Sequence, residues 1–323
     1  MNKGIKFFGI DISHLVFDVT DSDGNYYQFK NNVSGFRKFI KLLDSKSHCA
    51  MEATGYYHYQ LAYYLLESGI KLSVENPLAV KRFIQMKLSK VKTDKSDSKL
   101  ICDYASQVDL NLWRGNSKDE IECLQIVRTL ATYTKQSTML KNKLHGESVL
   151  GEPSKAVVRS LKRSLKQLEK EAKMLEDKLV DLVNQSHQDL LTRLKSIPGI
   201  GPKTAMMLVV LTGGFDRFTS ASELCSYAGL TPVIRQSGTS VNGRARISKM
   251  GNQKLRNLLF MCSFNACKCN KACREIYERI VAKGKSKKLA LIAVCNKLLK
   301  QAFAIAKSGL IYDDTYRSTL VKN

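Results

Sequence analysis

No apolar run in this chain is long enough to cross a bilayer. The longest, Ala205 to Leu211, has seven residues, and a spanning helix needs about 20. The one apolar stretch near the N-terminus is interrupted by Asp11, so no secretory signal is read there. No lipidation motif and no basic amphipathic helix with a large aromatic face supports a membrane role. Nine cysteines without a leader then imply a reducing, cytoplasmic setting and free thiols. The paired two-residue spacing of a zinc ribbon is also missing. Cys262, Cys269 and Cys273 fall at i, i+7 and i+11, the spacing of one helix face, and are expected to pack rather than bind zinc. Acidic residues are scarce where basic ones are dense. Residues 186–323 hold 23 Lys and Arg against 7 Asp and Glu, net +16, whereas residues 1–110 carry +3 and residues 111–185 carry +4. The 323-residue chain, net +23, is long enough for two or three domains. Its last third has the charge of a surface that neutralises phosphates.

What the first hundred residues do contain is four acids in ordered contexts: Asp11, Glu52, Asp94 and Asp97. Asp11 ends the apolar run Phe7-Phe8-Gly9-Ile10, read as a strand. Glu52 follows the short strand His48-Cys49-Ala50-Met51 and precedes Thr54-Gly55. Asp94 and Asp97 are three apart at the start of a helix and share a face. Carboxylates gathered together repel unless a cation neutralises them, and a hard divalent ion prefers oxygen ligands. Metal-dependent chemistry on a phosphodiester is therefore expected. Asp18, Asp21, Asp23 and Asp44 lie nearby and are given no role.

Residues 5–12, 15–20 and 26–31 read as strands, with turn residues Asp21 to Asn25 between the second and third. Ser34 is expected to cap a helix to about Asp44. The Glu52 strand, a Tyr-rich helix from Tyr57 to Glu67, a strand from Lys71 to Val74 and a helix from Pro77 follow. This α/β order is the element order of ribonuclease-H-like folds. Tyr56, Tyr57, Tyr59, Tyr63 and Tyr64 could stack on bases, but a half-buried helix face is favoured. His58 is expected to be a partly exposed structural histidine. Five lysines from Lys87 to Lys99, Lys92 and Lys95 among them, could hold a phosphate backbone beside the acids.

Residues 121–148 keep helical periodicity until Gly151-Glu152-Pro153-Ser154 breaks it. A second long helix carries Leu161, Leu165, Leu168, Ala172, Leu175, Leu179 and Leu182, a heptad seam. An antiparallel helical hairpin is expected, with the seam closing within the chain or, as preferred, between chains. Ile197-Pro198-Gly199-Ile200-Gly201-Pro202-Lys203-Thr204-Ala205 reads as a helix-hairpin-helix. There Gly199 and Gly201 let backbone amides face a phosphate, with Lys203 and Thr204 beside them. Downstream, Ser237 sits in a Gly-containing loop. Arg235, Arg244, Arg246, Lys249 and Arg256 flank it, an arrangement in which a serine could act as nucleophile.

These motifs together resemble the insertion sequence 110 family of transposases, with its 1111 subgroup and the related Piv-type DNA invertases. The resemblance rests on Gly9-Ile10-Asp11-Ile12-Ser13, Met51-Glu52-Ala53-Thr54-Gly55 and Lys92-Thr93-Asp94-Lys95-Ser96-Asp97 near the N-terminus. Further on it rests on Ile197 to Gly201, Tyr227-Ala228-Gly229-Leu230-Thr231-Pro232, Gln236-Ser237-Gly238, and Ile247-Ser248-Lys249-Met250-Gly251-Asn252 with Leu255-Arg256. It implies a RuvC-like domain over 1–115 whose acids Asp11, Glu52, Asp94 and Asp97 hold Mg2+ (or Mn2+). It also implies a coiled-coil segment over 116–187 and a mainly α transposase domain over 188–323. The nucleophilic serine is best carried onto Ser237, with Ser240 and Ser248 as alternatives. DNA partners, a structured guide RNA, a dimer or tetramer, and a bacterial cytoplasmic, nucleoid-associated location follow from the same resemblance. The competing readings are a RuvC-like structure-specific nuclease, a protein-only invertase, and a non-enzymatic helix-hairpin-helix DNA-binding protein.

Overall fold

The structure, a computed structural model, describes residues 4–53, 55–88, 93–237 and 241–315, without the side chains of residues 235–245. Thr54, Lys92, Gly238 and Ser240 of the motifs above therefore lie outside the described residues. The chain forms two compact units, Met1–Asn116 and Ser117–Asn323.

The first unit is built on five strands: β1 Lys6–Ile12, β2 Val16–Asp21, β3 Tyr26–Lys30, β4 Ser47–Glu52 and β5 Lys71–Glu75. Its helices are α1 Val33–Ile40, α2 His58–Glu67, α3 Pro77–Met86 and α4 Asp94–Gln107. The sheet order is β3-β2-β1-β4-β5. β1, β2 and β3 are antiparallel neighbours, and β4 and β5 continue parallel to β1. Side chains alternate across a strand, and the alternation divides the unit into two cores. Phe8, Ile10, Phe17, Val19, Cys49, Met51 and Leu72 pack with α1 and α2. Phe7 and Ala50 pack on the other face with residues of α3 and α4. The strand expectations hold to within a residue or two. The cap of α1 does not, because the Asn32 side chain, not Ser34, accepts the Gly35 amide at 3.0 Å, and the helix ends at Ile40.

In the second unit α5 Lys118–Val149 and α6 Lys155–Lys195 form the hairpin. Glu122 pairs with Lys178 at 3.6 Å and Lys141 with Glu169 at 3.3 Å, which fixes the two helices as antiparallel. His187, with φ −141°, breaks α6 into two segments. α7 Pro202–Thr212, α8 Ala221–Tyr227, β6 Pro232–Ser237, β7 Val241–Ile247, α9 Gln253–Cys269, α10 Lys271–Ala282 and α11 Lys287–Ser308 follow. β6 and β7 pair antiparallel as a two-stranded ribbon.

The Leu175–Leu182 part of the heptad seam packs inside the chain, and Leu161, Leu165 and Leu168 are half-buried. Leu179 and Leu182 are buried in one core with Cys123, Ile126 and Val127 of α5, and Leu175 packs against them. The expected cysteine face is corrected: α9 ends at Cys269, Asn270 caps the next helix, and Cys273 belongs to α10. Cys262 and Cys273 are buried, Cys269 is exposed, and all nine cysteines are free thiols. α11 is long and apolar enough to cross a membrane. Its Ala290, Val294, Cys295, Leu298, Leu299 and Ala302 are instead buried in the protein, among α8, α9 and α10.

Candidate active site

The C-terminal ends of parallel strands are where α/β sheets expose functional side chains, and here they expose carboxylates. Asp11 lies one residue before the end of β1, and Glu52 ends β4. Since Ile10 is in register with Met51, the two acids stand side by side on the α3/α4 face of the sheet. α4 brings the other two acids to this face. Its N-terminus is set by a capping box in which the Thr93 hydroxyl accepts the Ser96 amide at 3.1 Å and the Ser96 hydroxyl accepts the Thr93 amide at 2.8 Å. Asp94 and Asp97 occupy the first turn, where the helix dipole favours negative charge.

Gly9 explains how α4 comes so close. A Cβ on Gly9 would lie 2.1 Å from the Cys102 amide nitrogen and 2.3 Å from the Ser98 carbonyl oxygen, so only glycine lets helix backbone rest directly on β1. A buried 2.8 Å hydrogen bond between the Thr20 and Ser98 hydroxyls ties the same helix to β2.

Asp11 reports the resulting field. Its pKa is pushed up to about 6, first by burial and then by the negative charges of Asp97, Asp94, Asp18 and Glu52. The four sequence-picked acids thus share one electrostatic neighbourhood. Among the described residues no three carboxylates close on one point as a bound ion requires, so side-chain rotation has to complete any ligand set. The donor chemistry, carboxylate oxygens alone, suits a hard divalent cation.

Two more acids join this face, and sequence reading missed both. Asp18 is 2% exposed and stands directly opposite Asp11 in the β1–β2 register. Glu75 stands opposite Glu52, accepts the Tyr104 hydroxyl at 3.1 Å, and has its pKa raised by burial. Asp18, Asp11, Glu52 and Glu75 therefore form a row across four adjacent strands. Each alternates with apolar residues whose side chains face the other core.

Around this face, Lys95 is exposed, with its ammonium 5.2 Å from the Tyr26 ring centroid. His58 is buried and stacks on Tyr59 at 4.3 Å, so the expected partial exposure is corrected. Tyr59, Tyr63 and Tyr64 are half-buried as favoured, with the Tyr63 hydroxyl donating to the Asn116 carbonyl at 3.0 Å, whereas Tyr56 and Tyr57 are exposed and do not belong to that face.

In the second unit the turn from Ile197 to Gly201 joins α6 to α7. Gly199 has φ +101°, and a Cβ there would meet Ala266 Cβ at 2.7 Å. Gly201 caps α7 without a side-chain bond and is exposed, which leaves first-turn amides for a ligand. Lys203 is exposed and pairs with Glu176 at 2.7 Å. Thr204 is buried with its hydroxyl 3.2 Å from Cys262 Sγ; its side chain faces the core, so it leaves the phosphate-contact set. Buried Asn270 holds the turn, donating from Nδ2 to the Pro198 carbonyl at 3.2 Å.

Ser237 is the last residue of β6, in register with Val241 of β7. Its side chain and those of Arg235 and Arg244 lie outside the described residues. Arg246 and Lys249 are exposed. Arg256 turns inward instead and donates to the Ala228 carbonyl at 2.8 Å. Asn252 caps α9 and donates to the Tyr227 hydroxyl at 3.0 Å. The motifs at Tyr227 and at Asn252-Leu255-Arg256 thus brace the base of the ribbon.

An acid-lined mixed sheet in one unit and a strongly basic, helical second unit define a class of proteins that act on nucleic acid. Residues 8–150 match the family described as Transposase, of the DEDD IS110 type, and residues 191–278 match the Transposase IS116/IS110/IS902 family. The chain is 30% identical over 323 residues to the pilin gene-inverting protein of Moraxella bovis, covering 95% of this chain and 97% of that one. It is 24% identical to the transposase for insertion sequence element IS1111A of Coxiella burnetii, over 80% of this chain and 76% of that one. The chain belongs to the IS110 family of transposases, enzymes of DNA transposition and recombination.

Proposed function

We propose that this transposase cuts and rejoins DNA through a serine–DNA intermediate, with the Asp11, Glu52, Asp94 and Asp97 carboxylates as the cation-holding set and Ser237 as the nucleophile. The observation that carries the reading is the placement of Asp11 and Glu52 on adjacent strand ends, with Asp94 and Asp97 in the first turn of α4, the helix packed on β1. The strand order β3-β2-β1-β4-β5 with α4 across it supports a ribonuclease-H-like, RuvC-like domain, and the turn at Gly199 supports a helix-hairpin-helix. The three-part division at 115 and 187 remains our reading of the functional modules.

Asp11, Glu52, Asp94 and Asp97 would hold Mg2+ or Mn2+, which when bound supplies charge neutralisation for the attacked phosphate. The Ser237 hydroxyl attacks phosphorus, its proton passes to a neighbouring carboxylate, and a phosphoserine ester and a free deoxyribose hydroxyl result. Attack by the hydroxyl of the partner strand releases Ser237 and completes exchange. Exposed Arg246 and Lys249 stabilise charge on the phosphate. Gly199, Gly201 and Lys203, with Arg235, Arg244, Lys92 and Lys95, hold backbone without reading sequence. Base pairing with a structured guide RNA would supply the sequence information, as the dominance of charge over base-reading motifs suggests. Assembly as a dimer or tetramer in the bacterial cytoplasm, at the nucleoid, belongs to the same reading. Asp313 and Asp314 lie near the end of the chain and receive no role.

The test is a denaturing gel of protein incubated with Mg2+ and its flanking DNA. A protease-sensitive covalent species is expected from the wild type. None is expected from Asp11→Ala or Ser237→Ala, with nucleic-acid binding largely kept. A covalent species formed by Ser237→Ala removes that assignment and leaves Ser240 or Ser248. Cleavage with no adduct from the wild type would identify a water-using nuclease.

A further inference from the structure

We propose that Asp18 is a positioning residue of the carboxylate site, acting through Asp11 to strengthen its hold on a divalent cation. The inference rests on the metal reading above.

Asp11 and Asp18 are directly opposed in an antiparallel pair, so their Cβ atoms lie about 4.5–5.5 Å apart on the same face. Like charges so placed are destabilising, and Asp18 is 2% exposed, beyond the reach of solvent screening. The fold nevertheless fixes Asp18 firmly. Its Oδ1 accepts the Tyr26 hydroxyl, in a short bond, and the Gln28 Nε2–H at 3.0 Å. Both donors come from β3, where Gln28 is the register partner of Asp18.

If Asp18 served only as their acceptor, an asparagine carbonyl would still accept from one of them, in a weaker bond, and would remove the repulsion. Among the described residues no Lys or Arg forms an ion pair with Asp18. Lys95 lies over the Tyr26 ring instead. A buried, fixed, unneutralised carboxylate beside Asp11 is a standing negative field at the site. Its charge adds to the attraction that a cation held at Asp11 feels.

The experiment is a Mn2+ titration of the full-length protein followed by electron paramagnetic resonance of free Mn2+, paired with melting in EDTA. Wild type, Asp11→Asn, Asp18→Asn and Tyr26→Phe are compared. Asp11→Asn should lose binding. Asp18→Asn should bind Mn2+ about tenfold more weakly, through loss of a nearby negative charge, while melting no lower than wild type without metal. Metal affinity and metal-free stability thus move apart, which a merely structural role would not produce. Unchanged Mn2+ affinity in Asp18→Asn, with or without a lower melting point, overturns the inference. Should Asp18→Asn not fold, Tyr26→Phe decides: a weaker affinity at a near-wild-type melting point supports the inference, and an unchanged one overturns it. A wild type that binds no Mn2+ overturns the metal reading itself, and this inference with it.

Discussion

Asp11 takes up a proton about two pH units more readily than a free aspartate does, and this makes the metal-free protein sensitive to pH. Its carboxyl has a folded pKa of about 6 against 3.8 unfolded. Between those values the folded chain binds more protons than the unfolded one, so stability falls as pH rises through roughly 4 to 6. The loss is complete above that window and is at most about 3 kcal/mol, less any solvent screening. Melting curves in EDTA should show this fall, and Asp11→Asn should flatten it. Above pH 6 a divalent ion should restore stability, because the cation replaces the proton. Gly9 beside it has no comparable tolerance. A methyl group at 2.1 Å from backbone cannot be relieved by side-chain motion, so Gly9→Ala should cost about 3 kcal/mol or more. Circular dichroism and limited proteolysis should show the first unit loosened.

At the scale of elements, the hairpin is where sequence and structure can be compared most closely. The 4-3 spacing of leucines from Leu161 to Leu182 showed a long amphipathic helix and its antiparallel partner. It could not show which surface closes the seam, because a leucine stripe is equally satisfied by α5 or by a second chain. Leu179 is fully buried against α5 residues, so Leu179→Ala should cost about 2–5 kcal/mol in urea unfolding. A variant that loses only oligomer mass and no stability would return the seam to the interface between chains. The acids divide in the same way. Asp11 and Glu52 were legible because each ends a short apolar strand, and Asp94 and Asp97 because they open a helix. Asp18 was not, since its importance comes from register with Asp11, and register is fixed by tertiary pairing. Asn32 displaced Ser34 as the cap of α1 for a similar reason: both residue types can cap, and the path of the chain out of β3 chooses between them.

At the scale of the whole molecule, charge is divided as sharply as structure. The first unit has net charge +4 and the second +19, so affinity for nucleic acid should be carried chiefly by the second. Binding to duplex DNA should weaken steeply with salt, the logarithm of the association constant falling by about 0.9 per phosphate neutralised. Not every basic residue contributes to that slope. Arg246 is exposed on the ribbon, whereas Arg256 is committed to the Ala228 carbonyl. Arg246→Gln should therefore lower the slope by about one and leave the melting temperature unchanged. Arg256→Gln should do the reverse, lowering the melting temperature because the base of the ribbon loses a buried bond. A titration series between 50 and 300 mM salt, with melting measured on the same samples, separates the two. If both variants lost slope equally, the inward turn of Arg256 would not hold in solution, and the base of the ribbon would have to be a DNA-contacting surface.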